Sequence, residues 1–125
     1  MQKMEQPTLF ERLGGREGVR KLTEQVVANH YANPVVATRF EHAKMSQAQL
    51  TDGATEFFCT GLSGVPTYQG KDMIATHKGM NINSEELIAV LDDVLNAMKS
   101  LGHGDLEQAE VLKILYDMKP EIVGH

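Results

Sequence analysis

The sequence predicts an all-α protein, and three observations lead to this fold class. Apolar residues recur at intervals of three and four, which is the period of an amphipathic helix. Alternating apolar and polar runs, which are typical of strands, are missing. Glycine, proline and helix-capping side chains divide the 125 residues into four substantial helices and several short ones. We expect one domain over residues 1–125, with residues 1–6 as a disordered N-terminal extension.

The first half of the chain is predicted to begin with a short helix, a long helix and a single helical turn. Pro7-Thr8 opens the short helix, and Gly14-Gly15 ends it because glycine readily adopts the left-handed conformation. The long helix runs from Arg16 to Tyr31, where Asn33-Pro34 ends it. Val35 to Phe40 forms the helical turn. The inner stripe of the long helix is Val19, Leu22, Val26, Val27 and His30.

The next helix is bounded by a capping box and by helix-breaking residues. Ser46 to Gln49 has the capping-box pattern, and the helix that it starts runs to Leu62. Its inward residues are Leu50, Ala54, Phe57 and Phe58. Gly64 and Pro66 end it. About twenty residues, from Gly64 to Asn83, then carry only one short helix, and a connection of that length is usually functional or disordered.

Two helices complete the chain. The first begins at a second capping pair, Asn83 with Glu86. Asp105 with Gln108 opens the second, and Lys119-Pro120 closes it. The apolar face of the first is Leu87, Val90, Leu91, Val94 and Met98, and that of the second is Val111, Leu112, Leu115 and Met118.

Composition excludes several classes of protein. The formal net charge of −5 argues against nucleic acid or an anionic membrane surface as a partner, since both attract basic patches. No apolar run approaches the ~20 residues that span a bilayer, and the N-terminus lacks an apolar signal core. A single cysteine, Cys59, excludes an internal disulfide framework. We therefore expect a cytoplasmic protein.

His77 is the most informative single residue of the connecting segment. It follows Met73 and Ile74 at helical spacing, so it is either a hydrogen-bonded core histidine or a ligand. No two of the five histidines are three or four residues apart, which disfavours a zinc site. Cys59 follows Phe57-Phe58 inside a helix, where a buried thiol is usually inert rather than a nucleophile.

Haem is a cofactor that needs only one protein ligand, because the macrocycle supplies four nitrogens to the iron. The protein then provides an axial imidazole and an apolar slot. One wall of such a slot would be the inward face of the helix that contains Phe57 and Phe58. The other wall and the floor would come from Met73, Ile74, His77, Met80, Ile82, Leu87 and Val90. Taken singly, each of these residues is more typical of an ordinary core, and it is their arrangement together that favours a haem slot.

In order and spacing, several motifs resemble those of the truncated haemoglobins, specifically group I. They are LFERLGG (9–15), NP (33–34) before Phe40, EFF (56–58), YQGKDM (68–73) and HKGMNI (77–82). The resemblance extends from Leu9 to about Val123. It implies a two-over-two helical sandwich around haem b.

The resemblance also implies roles for individual residues. His77 matches the proximal histidine that ligates iron, and Phe40 matches the phenylalanine that packs against the porphyrin. Phe57 and Phe58 match the aromatic pair of the distal helix, and Tyr68 matches the tyrosine near the haem edge. Candidate propionate partners are Lys44, Lys71 and Lys78, although a lysine on such a loop is more often simply solvated.

The ligand side departs from the family pattern. Val26-Val27 stands where the family usually has Phe-Tyr, and Leu50, Gly53 and Ala54 stand where it offers glutamine or histidine. We therefore expect an unusually apolar distal pocket, formed by Val27, Tyr31, Leu50, Gly53 and Ala54. Substitute donors would be Tyr31, whose hydroxyl could reach the pocket, or His30. His42 is a candidate sixth iron ligand, although a histidine in such a loop is more often simply exposed.

Three alternative classes of function are compatible with the sequence. The first is a haem protein that binds O₂, CO or NO reversibly, with NO dioxygenation as a variant that needs a separate reductase. The second is a haem redox or sensor protein. The third is a cofactor-free helical interaction protein. The first is the expected function, with the protein acting as a monomer and without nucleic acid or membrane partners.

Overall fold

The computed structural model describes residues 7–63 and 80–124, and it places seven helices in that part of the chain. In order they are α1 (Leu9–Arg12), α2 (Gly15–Ala32), α3 (Ala37–Glu41), α4 (Gln47–Ser63), α5 (Ser84–Ser100), α6 (Asp105–Tyr116) and α7 (Lys119–Ile122). These residues contain no strand, and a single parallel bridge joins Ile82 to Val123. No helix among them is long and apolar enough to cross a membrane. The short helix expected around His77 lies outside the described residues.

The long helices pack as two pairs, α2 with α4 and α5 with α6, and the contact of α2 with α5 joins the pairs. At one end, α1 contacts α2, α4 and α6. The core between them is made mostly of aliphatic side chains: Leu9, Leu13, Val19, Leu22, Val26, Phe58, Cys59, Leu62, Val94, Ala97, Met98 and Val111. The inner stripe predicted for α2 is buried in full, His30 included.

Both predicted capping boxes are confirmed. At α4 the Ser46 amide donates to Oε1 of Gln49 at 2.9 Å, and the Gln49 amide donates to Oγ of Ser46 at 3.1 Å. At α5 the Glu86 amide donates to Oδ1 of Asn83 at 2.8 Å, and the Asn83 amide donates to Oε1 of Glu86 at 3.2 Å. Each pair satisfies amides that have no partner within the helix, so both helix starts are defined locally.

The α1–α2 junction depends on glycine. Gly14 and Gly15 have φ angles of 100° and 66°, in the left-handed region that favours glycine. Gly18 follows one turn later, and a Cβ atom there would overlap the carbonyl oxygen of Leu13. The close approach of α1 to the first turn of α2 therefore requires a residue without a side chain.

The C-terminal region differs from the prediction in two places. Gly104, rather than Asp105, is the N-cap of α6, and the Gln108 side chain instead donates to the carbonyl oxygen of His103 at 2.9 Å. Lys119-Pro120 does not simply close the last helix. It begins α7, because proline lacks an amide hydrogen and is well accommodated in the first turn of a helix.

Candidate functional site

A cavity of about 440 Å³ lies between α2, α4, α5 and the C-terminal helices. Its size falls within the roughly 300–1,000 Å³ that is common for small-molecule sites. Its described lining is mostly apolar: Val26, Val27, His30, Val36, Arg39, Phe40, Ala43, Leu50, Ala54, Phe57, Phe58, Met80, Ile82, Glu86, Leu87, Val90, Leu91, Val94, Leu115, Met118 and Ile122.

One wall of the cavity comes from α4. Leu50, Ala54, Phe57 and Phe58 all line it, because spacings of three and four residues place them on one face of a helix. Three of these side chains remain partly exposed, whereas Phe58 is buried. The partial exposure is consistent with a face directed at an open cavity rather than at a packed core.

A second wall comes from the chain that leads into α5 and from the first turns of α5 itself. Met80, Ile82, Leu87 and Val90, all expected from the sequence, line the cavity. Asn81, between the first two, has a φ of 50°, a left-handed conformation that asparagine adopts more readily than most residues. The turn at Asn81 thus separates two residues that both reach the cavity.

Phe40 is held on the cavity wall by two neighbours from α2. Its ring stacks on His30 with centroids 4.8 Å apart and planes 20° apart. The Tyr31 hydroxyl donates to the carbonyl oxygen of Phe40 at 3.3 Å. Tyr31 therefore supports Phe40 and is not among the lining residues, contrary to the expectation that its hydroxyl reaches the pocket.

Gly53 is the other expected pocket residue that does not line the cavity. It lies three residues after Leu50 and four before Phe57, so it shares their face of α4, but glycine has no side chain that could reach the cavity. His42 and Lys44 are exposed and are likewise absent from the described lining. The expectations for Tyr68, Lys71, Met73, Ile74, His77 and Lys78 fall outside the described residues.

The polar side chains of the described lining are His30, Arg39 and Glu86. Arg39 and Glu86 form a two-point ion pair between α3 and α5, with Nη2 of Arg39 3.0 Å from Oε1 of Glu86. The hydrogen bond from Arg39 holds the pKa of Glu86 below its usual value. Their charges offset each other, so the pair adds little net charge to the cavity.

His30 is buried beside Asp93, with Nδ1 of the imidazole 2.7 Å from Oδ2 of the carboxylate. Burial lowers the pKa of His30 below its usual value, and the hydrogen bond and charge of Asp93 oppose part of that change. A neutral imidazole therefore predominates near neutral pH.

Sequence reasoning did not place several lining residues. Arg39, Val36 and Ala43 come from the α3 region, and Leu115, Met118 and Ile122 reach the cavity from the C-terminal helices. The sequence did contain a sign that Asp93 is buried, because it is a charged residue on the apolar face of α5, next to Val94 and one turn from Val90.

Among the described residues, no group of three or more His, Cys, Asp or Glu side chains could hold a metal ion.

Cys59, weighed as a nucleophile, belongs to the core cluster, and burial raises the pKa of its thiol. A raised pKa reduces the thiolate population on which nucleophilic reactivity depends. Its placement favours a packing role.

Known proteins share this fold and this sequence pattern. The profile of the family described as bacterial-like globin matches residues 8–123. A group 1 truncated hemoglobin of Tetrahymena thermophila is 29% identical over 120 residues, which cover 95% of this chain and 97% of that protein. One from Tetrahymena pyriformis is 27% identical over 117 residues, covering 94% and 95%. The chain belongs to the group I truncated globins.

Solved structures agree with this assignment. The Fe(III) form of the truncated hemoglobin from T. pyriformis superposes with a TM-score of 0.89 at 25% identity, covering 95% of this chain and 100% of that one. The 2/2 hemoglobin from Synechococcus sp. PCC 7002 has a TM-score of 0.84 at 18% identity and shares the fold. The prediction of an all-α, two-over-two truncated globin is confirmed.

Membership of the globin family implies a haem cofactor and haem-based binding of gaseous ligands. The described walls of this truncated globin fit such a cofactor. They enclose about 440 Å³ with aromatic and aliphatic side chains, which suit the faces of a flat apolar macrocycle.

Proposed function

We propose that this truncated globin holds haem b in the cavity, with His77 as the protein ligand of the iron, and binds O₂, CO and NO reversibly. The observation that carries the proposal is the convergence of two apolar walls on a cavity of about 440 Å³, one from α4 and the other from α5 and the chain that enters it. Haem supplies the iron at which the gas binds, and the protein supplies the slot and the axial imidazole.

Each wall has a distinct task in this proposal. Phe40, Phe57 and Phe58 place aromatic rings against the macrocycle, and Leu87 and Val90 exclude water from the opposite side. Apolar burial of this kind stabilises the bound cofactor by about 25 cal/mol for each Å² removed from water. The stack of Phe40 on His30 keeps one of these rings in a fixed orientation.

The ligand side is proposed to bind O₂ weakly. Val27, Leu50 and Ala54 line the cavity and offer no hydrogen-bond donor from their side chains. O₂ becomes polarised when haem binds it, and a hydrogen bond to a charged group is worth about 1.5–3 kcal/mol, or roughly 10- to 150-fold in a dissociation rate. We therefore expect fast O₂ release, with CO less affected because it is less polarised.

A UV–visible spectrum of the purified protein tests the proposal, recorded ferric, reduced, and reduced with CO. We expect a Soret band that shifts on reduction and on CO addition in the wild type, and that is lost in His77→Ala. His103→Ala, which alters a half-exposed histidine outside the described lining, serves as the matched control. A wild type that takes up no haem when haem is supplied would refute the function, and an unchanged His77→Ala spectrum would refute the ligand assignment.

The proposed setting is a cytoplasmic monomer whose partners are the gases themselves. If NO dioxygenation is the physiological reaction, bound O₂ and NO give nitrate and leave ferric iron, so a separate reductase must return the electron. Nitrate formation from the O₂-loaded protein on mixing with NO would reveal this reaction, and recovery of NO without nitrate would argue against it.

A further inference from the structure

A buried polar cluster lies beside the gas-binding cavity, where α2 crosses α5. It consists of His30, Asn33 and Asp93. Asp93 is only 6% exposed and His30 only 7% exposed. The His30 ring both lines the cavity and stacks on Phe40, so its orientation is fixed on two sides.

The direction of each hydrogen bond in this cluster follows from backbone groups whose roles are unambiguous. The Val35 amide donates to Oδ1 of Asn33 at 3.0 Å, and Nδ2 of Asn33 donates to the carbonyl oxygen of Ala89 at 3.4 Å. These two contacts settle which end of the Asn33 side chain is the amide nitrogen. That nitrogen therefore donates to Oδ1 of Asp93 at 3.0 Å.

Oδ2 of Asp93 is then left for His30, 2.7 Å away. An ionised carboxylate only accepts hydrogen bonds, so Nδ1 of His30 carries the proton and donates it to the contact. In a neutral imidazole the other nitrogen, Nε2, is consequently unprotonated. Asp93 thus fixes the tautomer of His30, and Asn33 fixes the orientation of Asp93.

Nε2 borders open space. Among the described residues, Nδ1 of His30 has a hydrogen-bond partner and Nε2 has none. In the same part of the chain, no buried side-chain nitrogen or oxygen lacks a partner. Nε2 is therefore not sealed within the protein, and the open space that His30 lines is the cavity.

We infer that the Asp93–His30 pair presents an unprotonated imidazole nitrogen to the cavity and thereby lowers the affinity for O₂ relative to CO. The physical reason is that a lone pair repels the negative end of polarised O₂, whereas a donor would attract it. The inference rests on the proposed gas-binding function and makes His30 a determinant of ligand specificity within it.

Asp93→Asn tests the inference, because the cluster dictates how the new amide must orient. Nδ2 of Asn33 still needs an acceptor, so the amide oxygen stays on that side and the amide NH₂ faces Nδ1 of His30. Nδ1 must then accept, and the proton moves to Nε2, which becomes a donor toward the cavity. We expect O₂ dissociation to slow by about tenfold or more while CO dissociation is unchanged.

Two readouts and one control make the test decisive. Long-range ¹⁵N–¹H NMR of the diamagnetic CO-bound protein reports which nitrogen of His30 is protonated, independently of gas kinetics. Asp92→Asn removes the same charge from the exposed neighbouring residue of α5 and should change neither readout.

The contrary results are distinct from one another. A wild type with the proton on Nε2 overturns the inference whether or not the Asp93→Asn variant folds. A tautomer change that leaves O₂ release as fast as before also overturns it, with CO binding and hence the proposed function intact. A wild type that binds no CO refutes the proposed function instead.

Discussion

Leu50 and Ala54 are the α4 residues on the proposed ligand side of the cavity, and neither side chain carries a hydrogen-bond donor. Leu50→Gln adds an amide donor of similar length at this wall. We expect O₂ dissociation, measured by stopped flow, to slow by roughly 10- to 150-fold, because the donor stabilises polarised O₂. Leu50→Met keeps the wall apolar at similar volume and should leave the rate near that of the wild type. Equal rates in all three proteins would show that position 50 does not face the bound gas.

His30 also makes stability depend on pH. Because burial lowers its pKa in the folded state from the usual 6.5, the unfolded chain binds a proton at higher pH than the folded protein does. The free energy of unfolding should therefore decrease as pH falls below about 6.5. His30→Gln retains a donor for Asp93 but cannot titrate, so this part of the slope should disappear. Urea unfolding across pH 5–8 measures this pH dependence, with His103→Gln as the control. If the free energies of unfolding of wild type and His30→Gln changed in parallel with pH, the prediction would be contradicted.

Residue identity predicted some members of the cavity and could not predict others. Leu50 and Val90 were found because each belongs to an apolar stripe whose helical period fixes its direction. Tyr31 was expected in the pocket, yet its hydroxyl donates to the Phe40 carbonyl oxygen, a contact that depends on how α3 returns against α2. Arg39 lines the cavity for the same tertiary reason. Direction within one helix is local information, whereas the position of a neighbouring helix is not.

Among the helices, the α1–α2 junction has the tightest geometric requirement. Gly18→Ala would bring a Cβ atom into the carbonyl oxygen of Leu13, so the two helices must separate. We expect a loss of roughly 1–3 kcal/mol in the free energy of unfolding, as for other overpacked sites. Gly61→Ala is the matched control, since its Cβ meets no atom within 4 Å and alanine favours the helix by up to about 1 kcal/mol. Denaturant unfolding of both variants should therefore give changes of opposite sign, and a stabilised Gly18→Ala protein would refute the close approach.

The two capping boxes were more predictable than the boundary between α6 and α7. Both capping boxes depend on residues three positions apart, so the sequence contains all the information that they need. The end of α6 and the start of α7 at Lys119 were not separated, because proline is compatible both with a helix stop and with a first turn. The contact that fixes the C-terminal end, from the Gly124 amide to the Ile82 carbonyl oxygen at 3.0 Å, joins residues far apart in sequence.

For the whole molecule, the core and the cavity are separate enough that removal of haem should affect them unequally. Leu9, Leu13, Val19, Leu22 and Met98 pack in the core cluster and do not line the cavity. Met80, Ile82, Met118 and Ile122 line the cavity and are outside that cluster.

We expect amide hydrogen exchange in the haem-free protein to accelerate at residues 80–87 and 118–122, because without haem these segments lose the surface against which they pack. Exchange in the first half of α2 should change far less, since its contacts are internal to the core. Adding haem back should restore protection at the cavity segments, because a ligand that binds only the folded state stabilises it by mass action. A uniform loss of protection over α2 and α5 together would instead mean that core and cavity unfold as one cooperative unit.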